Sequence, residues 1–252
     1  MFEALHDLDL PWTRWALALT GTFLLGIAKG GIKGLGAIIT TMIALVFGSK
    51  ASTGILMPLL MIGDLFAVIY YNRHADWKYL WKLFPWMILG ILAGVWYGKD
   101  LPEDLFRKGM AILILLSVAL MWFSERMKAY KVPDNWVFAG AMGSLAGFAT
   151  MVGNLAGPFS ELYFLAIRLP KAVFIGTAAW LFFMTNIFKL PFHIWSWRTV
   201  NGESILIDLV LLPSLLLGLF TGIQLVKMIR QEQFRMIIMI LTFIGALLIF
   251  FR

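Results

Sequence analysis

No cysteine occurs in this chain of 252 residues, which excludes a disulfide framework and a thiolate metal site. Histidine is scarce and scattered. His6, His74 and His193 lie too far apart in sequence to suggest a metal centre, so neither a metal nor a cofactor is expected. Charge is scarce too, at 14%, where soluble domains carry about 25%. No HExxH, GxSxG or Walker pattern is present. The one lysine- and glycine-rich run follows an apolar segment rather than a strand, so no nucleotide loop and no enzyme is expected. Glu3, Asp7 and Asp9 stand where a secretory signal would carry basic residues, so no cleavable signal is expected. No long polar stretch leaves room for a soluble domain, and any activity has to lie within the apolar part of the chain.

That apolar part is 61% of the residues, against about 45–50% in soluble domains. One globular core of this size cannot hide such an excess, so lipid must solvate much of the surface. The net charge of +7 sits at the ends of apolar runs. It fits anchoring at lipid headgroups, with attraction for anions, rather than nucleic-acid binding. Trp12, Trp15, Trp77, Trp81, Trp122, Trp136, Trp195 and Trp197 also lie near segment ends, where aromatic belts form.

A membrane span needs about 20 apolar residues. Apolar segments run over 15–28 and 35–47, 53–71, 83–97 and 106–123; a polar loop follows at 124–135; and the pattern restarts over 136–149 and 159–167, 172–190, 205–227 and 234–251. The restart reads as an internal repeat within a single transmembrane domain covering 1–252, with a first copy over about 14–123 and a second over about 136–251. At an offset of 121 residues Leu24, Gly26, Gly36, Lys50 and Ala51 match Leu145, Gly147, Gly157, Lys171 and Ala172. At an offset of 128, Pro85, Gly90, Gly94, Phe106 and Arg107 match Pro213, Gly218, Gly222, Phe234 and Arg235. The change of offset implies extra residues around 195–204. Each half then has five helical elements, and an odd number makes the halves inverted, as in many secondary transporters. The alternative is four spans per half in parallel repeats, with each broken pair making one crossing. The loop lysines and arginines lean toward ten elements, with the N-terminus outside. The fold class expected is an all-α polytopic membrane protein whose glycine-broken helices meet near the membrane midplane.

The two breaks carry the chemistry. Gly26-Ile-Ala-Lys-Gly-Gly-Ile-Lys-Gly-Leu-Gly36 interrupts the first segment, and Gly147-Phe-Ala-Thr-Met-Val-Gly-Asn-Leu-Ala-Gly-Pro158 the corresponding one. A lysine at mid-membrane costs roughly 2.5–3.5 kcal/mol on insertion scales, so Lys29 and Lys33 should line a cavity or pair with something. The other reading is an interfacial loop whose lysines snorkel to phosphates. A restarting helix presents backbone N–H groups that attract anions. The expected substrate-binding set is Lys29, Gly30, Gly31, Lys33 and Gly34 in the first break, with Gly153, Asn154 and Gly157 in the second. Asn154 falls opposite Lys33 and can donate to an oxyanion without adding charge. Asp64 and Glu161 are intramembrane carboxylates, expected to pair with these lysines or to carry protons, Asp64 being the preferred coupling residue; the alternatives are a structural salt bridge and a helix cap. Thr185-Asn186 falls opposite Asp64, with Lys189 one turn on.

The runs Lys29-Gly-Gly-Ile-Lys-Gly-Leu-Gly36, Pro58-x5-Asp64, Tyr70-Tyr-Asn-Arg-His-Ala-Asp-Trp77 and Pro85-Trp-x3-Gly90-x3-Gly94, with Gly153-Asn-Leu-Ala-Gly-Pro158 and Arg168-Leu-Pro-Lys171, resemble the TauE/SafE family of membrane proteins over nearly the whole chain. The resemblance implies a multi-pass transporter of the bacterial inner membrane, built from two repeats and exporting sulfite, organosulfonates or related small anions. The lysines in the first break depart from the family's more purely glycine run. They point to a more highly charged anion or to a different one. The function expected is alternating-access export of a small sulfur oxyanion, with the lipid bilayer and that anion as partners and no nucleic acid. A core of this size fits a monomer or a homodimer. An anion channel with a backbone-lined pore and a non-transporting scaffold subunit are the alternatives.

Overall fold

Long apolar runs in lipid must satisfy their backbone groups internally, and helices do so within one segment. The computed structural model describes residues 10–106, seven positions between 108 and 119, and 135–250. Among these it contains helices and no strands. Besides the helical positions described within 103–119, they are α1 (Trp12–Lys29), α2 (Gly36–Phe47), α3 (Ser49–Tyr71), α4 (Trp77–Gly98), α5 (Trp136–Gly153), α6 (Ala156–Ala166), α7 (Lys171–Pro191), α8 (Gly202–Met228) and α9 (Gln231–Phe250). A single 3-10 turn, Asn72–His74, extends α3, and a π turn, Phe192–Ser196, extends α7. Among the described residues five stretches are long and apolar enough to cross a membrane: Ser49–His74, Trp77–Gly98, Trp136–Gly153, Lys171–Ser196 and Gly202–Met228. The far part of the expected 106–123 segment, the loop to 134 and the acidic residues before Leu10 lie outside the described residues.

Two helix starts fall earlier than the apolar runs alone suggest, because side-chain caps recruit polar residues. The Asp76 carboxylate accepts from the Lys78 N–H and opens α4 at Trp77. Asn201 and Ser204 form a reciprocal capping box that opens α8 at Gly202. Lys50 and Lys171 cap in the other sense. Lys50 Nζ donates to the Lys99 carbonyl just past α4, and Lys171 Nζ donates to the Val226 and Ile229 carbonyls at the end of α8. Cations belong at helix C-termini, where the dipole and unpaired carbonyls attract them. These two lysines mark the two ends of the bundle.

The packing fixes the helix directions. α3 leaves the Lys50 end, where Gly54 lies against Thr199 of the segment following α7. It reaches the Lys171 end, where Gly176 of α7 lies against Tyr71, His74 and Ala75. α3 and α7 are therefore antiparallel. α1 and α8 pack in parallel: Gly218 meets the Phe23 carbonyl and, one turn on, Gly222 meets that of Ile27, while Gly26 meets the Leu215 carbonyl. α4 and α5 pack in parallel the same way: Gly143 meets the Leu83 carbonyl and Gly147 that of Met87, while Gly90 meets the Ser144 carbonyl. Small residues at such crossings let backbones touch, the packing that lipid-embedded helices favour. α2 folds back along α1, with Trp15 and Phe47 in edge contact at 6.4 Å. α6 folds back along α5, with Phe138 and Tyr163 rings 5.6 Å apart. With 12 and 11 residues, α2 and α6 reach only about 16–18 Å at ~1.5 Å per residue, short of the ~30 Å hydrocarbon core.

Trp12, Trp77, Trp81, Trp96, Trp136 and Trp195 are exposed near helix ends, as an aromatic belt requires. Trp197 is different. It is buried, its indole N–H donates to the Val95 carbonyl at 3.3 Å, and its ring covers Gly98.

Candidate functional site

Both breaks are turns with left-handed backbone. Gly31 and Gly34 have φ of 126° and 93°, a region open to glycine at no steric cost. In the second break Asn154 takes this role at φ 55°, being among the few side chains that tolerate it. The breaks do not lie at one level. The Gly30 carbonyl accepts from the Tyr71 hydroxyl at the last residue of α3, while Asn154 Nδ2 donates to the carbonyl of Thr53 near its start. The breaks are thus drawn toward opposite ends of the bundle, and the space between them lies at the middle of α3 and α7.

That space is a cavity of about 70 Å³. One water needs about 10–15 Å³ of such room, so the cavity accommodates an ion of a few heavy atoms and not a nucleotide or a sugar chain. Its apolar wall includes Leu25, Leu56, Leu60 and Phe182, and its polar wall Lys29, Lys33, Gly34, Thr40, Thr150, Asn154, Gly157, Glu161, Thr185 and Asn186. The N-termini of both returning helices border it, through Gly36 of α2 and Ala156 of α6, and neither helix has a side-chain cap. Uncapped helix N-termini carry partial positive charge.

Lys29 is 6% exposed, Lys33 3% and Asp64 0%, so these lysines do not snorkel to the headgroups. Lys29 Nζ pairs with Asp64 Oδ1 at 2.5 Å, and Asn186 Nδ2 donates to the other carboxylate oxygen at 2.6 Å. Asp64 is a saturated counter-ion behind Lys29 and is not part of the cavity lining. Lys33 Nζ donates to the Ala28 carbonyl at 3.1 Å, covering the C-terminus of α1. The Phe182 ring centroid lies 5.4 Å from Lys29 Nζ and 5.8 Å from Lys33 Nζ, so both ammonium groups make cation–π contacts with one ring.

Glu161 reaches across from α6 to the first break, where the Gly34 N–H donates to its carboxylate. Its other oxygen, Oε2, is buried and has no partner among the described residues. Lys189, which sequence reasoning noted without a role, is fully buried and donates to Thr150 O (3.0 Å), Thr150 Oγ1 (3.0 Å) and Asn154 Oδ1 (2.7 Å). With its three N–H groups so used, Lys189 fixes the Asn154 side chain from behind. Thr40 Oγ1 donates to the Gly153 carbonyl at 3.1 Å and ties α2 to the second break.

Of the expected binding residues, Lys29, Lys33, Gly34, Asn154 and Gly157 come together on the cavity, with Glu161 beside them. Gly30, Gly31 and Gly153 lie outside the lining. The Gly30 N–H bonds the Gly26 carbonyl and the Gly31 N–H the Ala28 carbonyl, so these donors close α1 rather than face a ligand. Gly30 has no Cβ because the α8 backbone at Leu219 and Gly222 occupies that place. Thr40, Thr150, Phe182, Thr185 and Asn186 were not expected on the lining; the sequence signal for Thr150 and Thr40 was their position opposite Lys29 and Glu161 in the repeat register. Among the described residues no His, Cys, Asp and Glu group could hold a metal.

No curated protein and no solved structure matches the chain. A family model described as "Sulfite exporter TauE/SafE" matches residues 17–249, and the chain belongs to that family of membrane transporters.

Proposed function

We propose that this chain is a secondary transporter that exports a small sulfur oxyanion, such as sulfite or an organosulfonate, across the inner membrane by alternating access around the central cavity. One observation carries this reading: two uncapped helix N-termini and two lysine side chains border one buried space between two broken helices. A small oxyanion is strongly hydrated and gives up several water hydrogen bonds on entering lipid. Lys29, Lys33, the free amide N–H of Asn154 and the helix N-termini replace them.

The two halves act as inverted repeats rocking about this site. Supporting this, the close approaches come in exchanged pairs. The meeting of Gly26 with Leu215 has its counterpart in that of Gly147 with Met87, and the meeting of Gly218 with Phe23 in that of Gly90 with Ser144. Lys50 and Lys171 cap the equivalent helices α4 and α8. The antiparallel course of α3 and α7 favours inversion over parallel repeats, and the folded-back α2 and α6 favour five elements per half. Lining positions pair across the halves too, Lys29 with Thr150, Lys33 with Asn154, Gly36 with Gly157 and Thr40 with Glu161.

The test is flux in proteoliposomes. Sulfite or organosulfonate uptake should saturate and be stimulated by the same anion on the far side. Lys33→Ala should lower it about 10–100-fold, since a hydrogen bond to a charged group is worth about 1.5–3 kcal/mol and each ~1.4 kcal/mol is tenfold. Lys50→Ala, which touches the end of α4 and the Trp197 ring but not the cavity, should leave flux within about twofold at equal protein abundance, because such a helix-end cap is worth only ~0.3–1 kcal/mol. Equal flux in both variants removes Lys33 from the site. Resolvable single-channel current identifies a pore, and no anion flux from folded protein identifies a scaffold.

A further inference from the structure

An anion site does not ordinarily tolerate a carboxylate, and this cavity has one. Glu161 is 4% exposed, borders the cavity beside Lys33, and leaves Oε2 without a partner among the described residues. The Gly34 backbone N–H donates to the same carboxylate, which leaves Oε2 as its unpaired oxygen. A buried acceptor left unpaired is costly, and a bare oxyanion cannot relieve it, because lone pairs would face lone pairs.

The charge count agrees. The buried cluster holds Lys29, Lys33 and Lys189 against Asp64 and Glu161. Three basic side chains against two acidic ones leave an excess of one basic group, which a monoanion matches and a dianion overshoots. Net charge in a desolvated site is expensive.

Resting on the anion-transport reading above, we propose that Glu161 is a specificity residue, and that the cavity takes a monoanionic oxyanion that carries its own hydrogen-bond donor. The oxygens of such a ligand face Lys33, Lys29 and the helix N-termini, while its O–H or N–H points at Glu161 Oε2. Singly protonated sulfite meets this description, as does a short sulfonate bearing a hydroxyl or ammonium group. Sulfate and fully deprotonated sulfite do not. The first break, rich in lysine, therefore serves a less highly charged ligand than its own composition suggests, because the second half supplies a compensating carboxylate.

The probes are hydroxymethanesulfonate, methanesulfonate and sulfate, used as substrates of the reconstituted full chain. The first two are small monoanions that differ in one donor, and the third is a donor-free dianion. Wild type should transport hydroxymethanesulfonate at least about tenfold more efficiently than methanesulfonate, since a site built to hydrogen-bond a substrate group discriminates strongly against the analogue lacking it. Sulfate should be refused. In Glu161→Gln the amide can itself donate, so methanesulfonate should come within about threefold of hydroxymethanesulfonate and sulfate should enter. Wild type that handles all three alike, or a Gln variant that keeps the wild-type preference, overturns the inference while leaving anion transport standing. Absence of flux for every anion, from folded protein, overturns the transport reading and this inference with it. Where Glu161→Gln fails to fold, the wild-type ratio of the first two probes decides alone.

Discussion

Asp64→Ala is expected to lower the stability of the protein by about 3–5 kcal/mol, the usual cost of breaking a buried ion pair by removing one partner. Asp64 is wholly buried, and both its oxygens are engaged, one by Lys29 and one by Asn186. Removing the carboxyl strands the Lys29 ammonium and orphans the Asn186 amide together. Lys29 borders the cavity, so water entering there hydrates it in part and draws the loss toward the lower figure. Asp64→Asn keeps a partner for Asn186 and should cost less, although Lys29 stays uncompensated. The double variant Lys29→Met with Asp64→Leu removes both charges and fills the space with apolar atoms. It should recover the part of the loss due to the stranded Lys29 charge, leave the part due to the orphaned Asn186 amide, and recover none of the transport. Unfolding in mild detergent, followed by denaturant or heat, reads the first quantity and proteoliposome flux the second. An Asp64→Ala variant as stable as wild type would mean that the pair contributes nothing net and that Lys29 is held by the Phe182 face and cavity water alone.

The separation of these two readouts bears on which residues couple and which merely hold. Asp64 was the preferred coupling residue from sequence, because a carboxylate in mid-span is expensive and so usually functional. The geometry gives it a different situation from that of Glu161. Asp64 is saturated and lies behind the lysine, whereas Glu161 borders the cavity with one oxygen unpaired among the described residues. A group that exchanges its partner during transport needs such an opening. Both carboxylates were visible in the sequence, but which one is open depends on where α6 returns relative to the first break.

Much else was visible for a plain reason. Apolar length, glycine breaks and polar loops are one-dimensional signals, and the described helices follow them closely. The differences arise at ends and partners. The run 83–97 became Trp77–Gly98 because the Asp76 cap and an interfacial turn of tryptophan and lysine extend α4 where hydropathy falls. Gly30 and Gly31 looked like ligand-binding positions because glycine marks both a permissive backbone and a close approach. Only the packing of α8 tells that Gly30 serves the second. Lys189 was unreadable in role, since its acceptors Thr150 and Asn154 are brought to it by the pairing of α7 with the end of α5. Trp197 looked like a headgroup anchor, yet the segment after α7 folds inward over Gly98.

Gly26→Ala and Gly147→Ala should each destabilise the protein by about 1–3 kcal/mol or more, the range for overpacking, and by similar amounts to each other. At both positions the added methyl would overlap a backbone carbonyl, that of Leu215 or of Met87, and not the movable tip of a side chain. The only relief is for a whole helix to move, α8 away from α1 or α4 away from α5. In lipid no hydrophobic effect between helices repairs the separation, because close van der Waals packing is what holds such helices together. Gly36→Ala is the control. It lies at the first turn of α2 with open space where its Cβ would stand, and alanine is favoured over glycine in a helix by about 0.8–1.0 kcal/mol. Its stability should hold or rise slightly, while the methyl intrudes on the cavity that Gly36 borders and so weakens transport of the bulkier substrates first. Melting of the purified variants at equal detergent checks the stabilities, and flux of sulfite against a larger organosulfonate checks the control. Gly26→Ala and Gly147→Ala that differ widely in cost would count against exchanged, equivalent crossings. Both variants behaving as wild type would mean that the α1 and α8 backbones, and those of α4 and α5, do not touch at all, and the cavity held between those pairs would lose its walls.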